Sequence, residues 1–166
     1  SPQQRRLWSL MCSGGTPYRV QCAALIDGPL DTPALVSALE GVVARHEILR
    51  TTFRRLPGMN VPVQVIDEGG VEWGPKVDLS AAPERERHAA FEELFEEMKG
   101  VPFSLDRGPL VRAALLGLAP GKRILLLGLS ALCTDAAAAK NLVGEVARAA
   151  AAPDGDSAPA DDSALL

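Results

Sequence analysis

Two consecutive apolar segments joined by a tight turn constrain the fold of this chain more than any other feature. The segments are residues 110–118 and 123–132, and the turn between them is Ala119-Pro120-Gly121. The second segment is nearly all apolar, so it does not have the one polar face of an ordinary amphipathic strand. Strands of this kind lie inside a sheet that is covered on both sides. We therefore predict two neighbouring strands, the second of which is central and buried.

Weaker patterns predict further strands. Residues 18–26 alternate apolar and polar side chains, which is the period of a half-buried strand. Residues 49–56 and 61–66 flank a Pro57-Gly58 turn and predict a hairpin, and another strand is expected near residues 71–77. The pairing of these strands does not follow from the sequence.

Three segments have the spacing or the boundaries of helices. Residues 1–11 carry Pro2 where a first helical turn tolerates it. After Thr32 the apolar side chains recur at i, i+3, i+4, i+7 and i+8, the stripe of an amphipathic helix. Residues 83–99 are charged with one apolar stripe, and Gly100 is expected to terminate that helix.

A final helix is expected after the buried strand, with Thr134 or Asp135 as its cap. Its predicted inner face consists of Ala139, Leu142, Val143 and Val146. Strands and helices mixed in this way, without an internal repeat, predict an α/β domain in which a mixed β-sheet is packed by helices.

The chain has 166 residues, enough for one ordinary domain. We place that domain at residues 1–152 and interpret residues 153–166, rich in Ala, Pro and Asp, as a linker or the start of a connection to a second lobe. The chain begins at Ser1 rather than Met, and we expect it to be a piece of a longer protein.

Charge and cysteine content exclude several classes of protein. The net charge is -4, and the four aspartates after residue 152 account for it. Because the remaining charges are balanced and scattered, we expect neither nucleic acid nor a membrane as partner. Three cysteines without C-x-x-C spacing argue against a disulfide framework or a zinc site, and we expect a cytoplasmic location with no bound metal or cofactor.

Three segments, in this order and spacing, resemble the condensation domains of nonribosomal peptide synthetases. They are SPQQRRLW at residues 1–8, RHEILRTTF at residues 45–53 and PFSLDRGPLVR at residues 102–112. The resemblance implies the amino-terminal lobe of a chloramphenicol acetyltransferase-like fold. In that family the reaction occurs in a tunnel between two similar lobes, and this chain is long enough for only one.

The catalytic motif of the family is altered here. Two adjacent histidines, three variable residues and Asp-Gly align with Ser130, Ala131, Asp135 and Ala136, so only the aspartate is kept. The resemblance assigns to the second histidine the positioning or deprotonation of the attacking amine, and to the aspartate an ion pair that holds the loop. The methyl group of Ala131 can neither accept a proton from the amine nor position it through a hydrogen bond.

Other ionisable residues have structural interpretations. We expect His46, Glu47 and Arg50 to stabilise the end of the helix that begins at Thr32, and His88 to lie at the surface of a charged helix. Cys133, between a strand and a helix, is an alternative acyl-transfer nucleophile only if His46 lies beside it.

The leading hypothesis is therefore a degenerate or truncated condensation domain that serves as a non-catalytic platform. Its expected partners are an adenylation domain, a recruited tailoring enzyme, a carrier protein or a second condensation lobe, and an uncovered apolar face would also permit self-association. The alternative is half of a complete domain that forms an amide or ester bond between substrates held on the phosphopantetheine of carrier proteins. A freestanding acyltransferase that uses coenzyme A is a weaker third option, because no phosphate-binding loop is visible.

Overall fold

A mixed four-stranded sheet is the centre of the computed structural model, which describes residues 2–12, 18–29, 31–59 and 61–151. Its strands are β1 (Arg19–Asp27), β4 (Glu72–Asp78), β5 (Val111–Ala119) and β6 (Lys122–Ser130), in the spatial order β1-β6-β5-β4. β6 is antiparallel to both of its neighbours, whereas β4 and β5 are parallel. The parallel pair makes the sheet mixed, as the sequence predicts.

β6 is the buried central strand that its apolar sequence indicates. Leu127 lies opposite Cys22 of β1 and Ala113 of β5, and the second half of the strand, from Leu125 to Ser130, is buried throughout. Side chains of a strand alternate between the two faces of its sheet, so β6 supplies apolar side chains to both faces. Two separate clusters of buried residues, one on each face, result from this alternation.

Helices cover the two faces and give the domain three layers. α2 (Thr32–Arg45) and α4 (Ala136–Ala151) pack on the face that carries the larger cluster, and α3 (Glu84–Gly100) packs on the other. α1 (Pro2–Cys12) lies against the larger cluster through Leu7, Trp8 and Met11. The inner face of α4 is formed by Ala139, Leu142, Val146 and Ala150, while Val143 is half-buried.

The predicted hairpin exists, but it forms a second sheet of its own. β2 (Thr51–Arg54) pairs antiparallel with β3 (Val63–Ile66). The expectation that the first strand begins at residue 49 is wrong, because Glu47–Arg50 forms a 3-10 helix. The Leu49 amide donates to the His46 carbonyl, and the Thr51 hydroxyl donates to the Glu47 carbonyl. Because these bonds close the 3-10 turn, the strand begins only at Thr51.

α3 connects the two parallel strands and ends one residue later than expected. Gly100 is its last helical residue rather than its terminator, and Val101 is the extended C-cap. Arginines of the sheet satisfy the carbonyl groups at this end: Arg19 donates to Met98 and Val101, and Arg112 donates to Val101 and Pro102. The end of α3 is therefore fixed by the sheet beneath it rather than by a glycine.

Two predicted segments reach beyond the residues that the structure describes: the opening helix and the carboxy-terminal linker. Ser1 and residues 152–166, including the predicted linker, lie outside the described residues. Among the described helices, none combines the length and apolarity needed to cross a membrane.

Candidate functional site

The segment in which the resemblance predicts the catalytic motif, residues 130–136, runs from the end of β6 through a turn to the start of α4. The Ala131 amide donates to the Tyr18 carbonyl at 3.1 Å, and the Cys133 amide donates to the Ser130 carbonyl at 2.9 Å. From α1, the Gln4 side-chain amide donates to the Leu132 carbonyl at 2.9 Å. The turn is thus held by backbone groups, by the Ser130 hydroxyl and by one side chain of the opening helix, and not by the side chain at Ala131.

Ser130 and Ala131, the residues that the resemblance aligns with the family's two histidines, supply no imidazole to the turn. Ser130 is completely buried, and its hydroxyl oxygen accepts from the Leu132 amide at 3.4 Å. Ala131 is half-buried and ends in a methyl group. Arg19 lies opposite Ser130 in the sheet, yet it donates to the end of α3, and a guanidinium group cannot accept a proton at neutral pH.

Asp135 is the cap of α4. Its carboxylate accepts from the Ala138 amide at 2.8 Å, and its carbonyl accepts from the Ala139 amide at 2.9 Å. Thr134, the other candidate cap, donates its hydroxyl proton to the Asp135 carbonyl. Ala136, at the position of the family's glycine, is the exposed first residue of the helix. Asp135 therefore anchors the helix that follows the turn.

His46 lies far from this turn. Its Nε2 atom is 2.8 Å from Oε2 of Glu145, and Nη2 of Arg45 is 4.0 Å from the same oxygen. Glu145 is nine residues beyond Ala136, which corresponds to about 13 Å along a helix. His46 therefore ties the end of α2 to the middle of α4 and does not reach Cys133 for the alternative nucleophilic mechanism.

Arg50 and Glu47 hold the 3-10 helix and the hairpin rather than a reacting group. Arg50 donates from Nη1 to the Asp67 carbonyl at 2.8 Å, and its Nε is buried without a partner among the described residues. A Cβ atom at Gly69 would overlap the aliphatic part of the Arg50 side chain. Glu47 contributes its carbonyl to Thr51, while its side chain is exposed.

The remaining candidates lack the environment of a nucleophile or base. Burial raises the pKa of the Cys133 thiol to about 12, so the thiol is protonated at neutral pH. The side chain of His88 is 75% exposed on α3, 3.8 Å from Glu92. Among the described residues, no group of three or more His, Cys, Asp or Glu side chains is placed to hold a metal ion.

Sequence reasoning missed two residues that organise this region. Gln4 anchors the motif turn, and Glu145 is the partner of His46. Gln4 belongs to the opening segment that carries the family resemblance, which could have drawn attention to it. Nothing in the sequence around Glu145 indicates its partner, because the two residues are 99 positions apart.

Comparison with known proteins identifies relatives of this chain. The family model described as "Condensation domain" matches residues 1–161. The chain is 37% identical to chondramide synthase cmdD of Chondromyces crocatus over 138 residues, 81% of this chain and 4% of that protein. It is 34% identical to surfactin synthase subunit 2 of Bacillus subtilis (strain 168) over 150 residues, 89% of this chain and 4% of that protein.

Solved structures show the same fold. The starter condensation domain of the rhizomide synthetase RzmA, in a mutant complexed with C8-CoA, superposes with a TM-score of 0.79 at 23% identity, over 90% of this chain and 34% of that one. SgcC5 from Streptomyces globisporus superposes with a TM-score of 0.69 at 29% identity, over 82% of this chain and 30% of that one.

The chain covers only part of the length of each of these relatives. It spans about one third of each of these two solved chains and 4% of each of the two synthases compared here. Its architecture is the chloramphenicol acetyltransferase-like fold that the sequence predicts. The chain belongs to the condensation domain family and corresponds to part of such a domain.

Proposed function

We propose that this chain is a non-catalytic lobe of a peptide synthetase, retained as a structural platform beside an adenylation domain or for a recruited tailoring enzyme. The observation that carries the proposal is the methyl group of Ala131 at the end of the buried strand, where the family has its second histidine. A positioned general base contributes about 10²–10⁴ in rate, and a methyl group supplies none of it.

The surroundings of the motif turn support this proposal. Three polar side chains near the turn have structural partners: Ser130 accepts from the backbone, Asp135 caps α4, and Gln4 donates to Leu132. The two described histidines are elsewhere, one bound to Glu145 and the other exposed on α3. The thiol of Cys133 is uncharged at neutral pH.

The second candidate function is half of a complete, active condensation domain. It is favoured by the length comparison, because the solved relatives continue well beyond the part that this chain matches. A second lobe in the parent protein would then close a tunnel and orient two carrier-bound substrates on their phosphopantetheine arms. Orientation alone contributes substantially to rate, even without a base from this lobe.

Dipeptide or ester formation in the parent synthetase separates the two candidates. The native protein is compared with Ser130→Ala, Asp135→Asn and Ala131→His, with both carrier proteins loaded. The asparagine keeps an oxygen that can accept from the Ala138 amide, so the cap of α4 is preserved while the charge is lost.

For a platform, we expect the native protein and the Ala131→His variant to be equally inactive in condensation. We also expect Ser130→Ala and Asp135→Asn to leave adenylation by the neighbouring domain unchanged, which checks that the proteins are folded. Robust turnover by the native protein would overturn the proposal in favour of the second candidate, and its loss in Ser130→Ala or Asp135→Asn would assign the activity to this lobe.

A further inference from the structure

α1 is attached to the domain through side chains that are only half-buried. Leu7, Trp8 and Met11 pack against the larger cluster, but no described residue of α1 is buried. By contrast, α2, α3 and α4 each bury at least one apolar side chain. An element that buries little apolar surface opens at a lower free energy than the core does. α1 is therefore expected to separate from the sheet more readily than the three longer helices.

One face of α1 contacts a pair of residues that lie opposite each other in the β2–β3 hairpin. Gln4 and Trp8 are four positions apart, so they are neighbours on the surface of the helix. Phe53 of β2 and Gln64 of β3 are register partners. The centres of the Trp8 and Phe53 rings are 6.0 Å apart. Nε2 of Gln64 donates to Oε1 of Gln4 at 3.2 Å, so the hairpin holds α1 by a ring contact and by a hydrogen bond.

The same Gln4 side chain holds the turn that follows β6. Its Nε2 atom donates to the Leu132 carbonyl at 2.9 Å, and its Oε1 atom is left to accept from Gln64. The Leu132 carbonyl belongs to the same planar peptide group as the Cys133 amide. That amide donates to the Ser130 carbonyl at 2.9 Å. Gln4 therefore fixes one edge of the peptide group whose other edge closes the turn.

A second peptide group extends this series of hydrogen bonds to β1. The Ser130 carbonyl shares its peptide group with the Ala131 amide, which donates to the Tyr18 carbonyl at 3.1 Å. The donors all point the same way, from the hairpin through α1 and the turn to the residue before β1. Hydrogen bonds arranged in such a chain polarise one another, so the loss of one link weakens its neighbours. The hairpin, α1 and the turn are thus mechanically connected.

We propose that α1 is a releasable strap that holds the turn after β6 closed and that the hairpin keeps in place. When α1 separates from the domain, Gln4 leaves the Leu132 carbonyl, and the peptide group that it held turns away from Ser130. The sheet stays folded, because its core is formed by other elements. The turn and α1 open together, and the strap operates in the same way in a platform and in half of an active domain.

Two variants of the 166-residue chain break one link each. At pH 7, Gln4→Glu keeps an oxygen that accepts from Gln64 but removes the donor to Leu132, because an ionised carboxylate only accepts. Gln64→Ala removes the bond from the hairpin and changes no residue of α1 or of the turn. The matched control is Arg6→Gln, at an exposed position of α1, which makes the same change in net charge as Gln4→Glu.

Hydrogen exchange, followed residue by residue by NMR at urea concentrations below the unfolding transition, measures the free energy and the urea dependence of each opening. The amides of α1 report on the strap, and those of Ala131 and Cys133 report on the turn. The amides of β6 report on global unfolding. Their larger opening free energy checks that each variant is folded.

In the native chain, we expect the turn and α1 to share one opening, with a smaller urea dependence than that of β6. Gln4→Glu should accelerate exchange of the turn amides at least about fivefold, the effect of losing one hydrogen bond. Gln64→Ala should accelerate the α1 and turn amides by the same factor, at least about threefold. Arg6→Gln should stay within about 1.5-fold of the native rates, as a change at an exposed position does.

The decisive variant is Gln64→Ala, because it acts on the turn only through α1. Turn amides whose exchange is unchanged by Gln64→Ala would show that the turn opens without the strap. Turn amides with the urea dependence of β6 would show that the turn opens only when the whole domain unfolds. Either result, or equal effects of Gln4→Glu and Arg6→Gln on the turn, would overturn the proposal.

Discussion

Nε2 of His46 and Oε2 of Glu145 lie 2.8 Å apart and join the end of α2 to the middle of α4. Both side chains are partly exposed, at 42% and 30%, so the interaction is screened by solvent. We expect His46→Ala to lower the free energy of unfolding by about 0.2–1 kcal/mol, the range of partly exposed pairs. Urea denaturation at pH 6 measures the change.

The matched control for that prediction is His88→Ala. His88 lies 3.8 Å from Glu92, and the two side chains are 75% and 56% exposed, so its removal should leave the unfolding midpoint nearly unchanged. A larger loss from His88→Ala than from His46→Ala would contradict the assignment of His46 as the link between the two helices.

Packing in the central strand makes a second prediction. Leu127 of β6 is 1% exposed, and its replacement by alanine should cost about 2–5 kcal/mol of stability through lost burial and the cavity left behind. Leu25, on the adjacent strand, is 64% exposed, and Leu25→Ala should remain within about 0.5 kcal/mol. Comparable losses from the two variants, measured by chemical denaturation, would mean that β6 is not the buried strand.

Burial of the Cys133 thiol predicts slow reaction with thiol reagents and a loss of folding stability at high pH. Its pKa is raised by burial from 9.0 to about 12. Between pH 9.0 and about pH 12, the unfolded chain releases the thiol proton and the folded chain keeps it. The stability that this group contributes to the fold therefore declines as the pH rises above about 9. The stability difference between the native chain and Cys133→Ala should therefore shrink from pH 8 to pH 11.

Thiol labelling provides an independent check on Cys133. In a Cys12→Ser/Cys22→Ser background, a disulfide reagent at pH 7.5 should react with the folded chain far more slowly than with the chain unfolded in urea. Equal rates in the two states would show that the thiol is accessible and would revive it as a candidate nucleophile.

Contact between Gly69 and Arg50 supports a fourth prediction. Gly69 has a φ of +71°, and a Cβ atom there would overlap the Arg50 side chain, whereas Gly58 has a φ of +81° and open space around it. Both alanine variants incur the cost of a positive φ, about 1–2 kcal/mol. Gly69→Ala should lose more than Gly58→Ala in thermal unfolding, and the excess measures the displacement of Arg50.

The elements of the fold could be predicted because their apolar patterns are local. The alternation in β1, the stripe of α2 and the apolar run of β6 each identify an element from consecutive residues. The parallel pairing of β4 with β5 could not be predicted, since it depends on how α3 crosses between them. Gly100 was assigned the wrong role because the arginines that fix the end of α3 come from distant strands.

Only part of the candidate site could be predicted from the sequence. The resemblance, aligned on Asp135, points to the turn after β6 as the candidate site, and the cap geometry gives Asp135 a role in α4. The anchor of the turn depends on Gln4, 128 positions from its acceptor, and no local pattern encodes such a contact. Side-chain pairs between remote segments are set by the packing of whole elements.

The turn after β6 keeps its shape through main-chain contacts and α1, with no help from the side chain of Ala131. A substitution at residue 131 therefore leaves the scaffold of the turn in place and changes only the side chain that the turn presents.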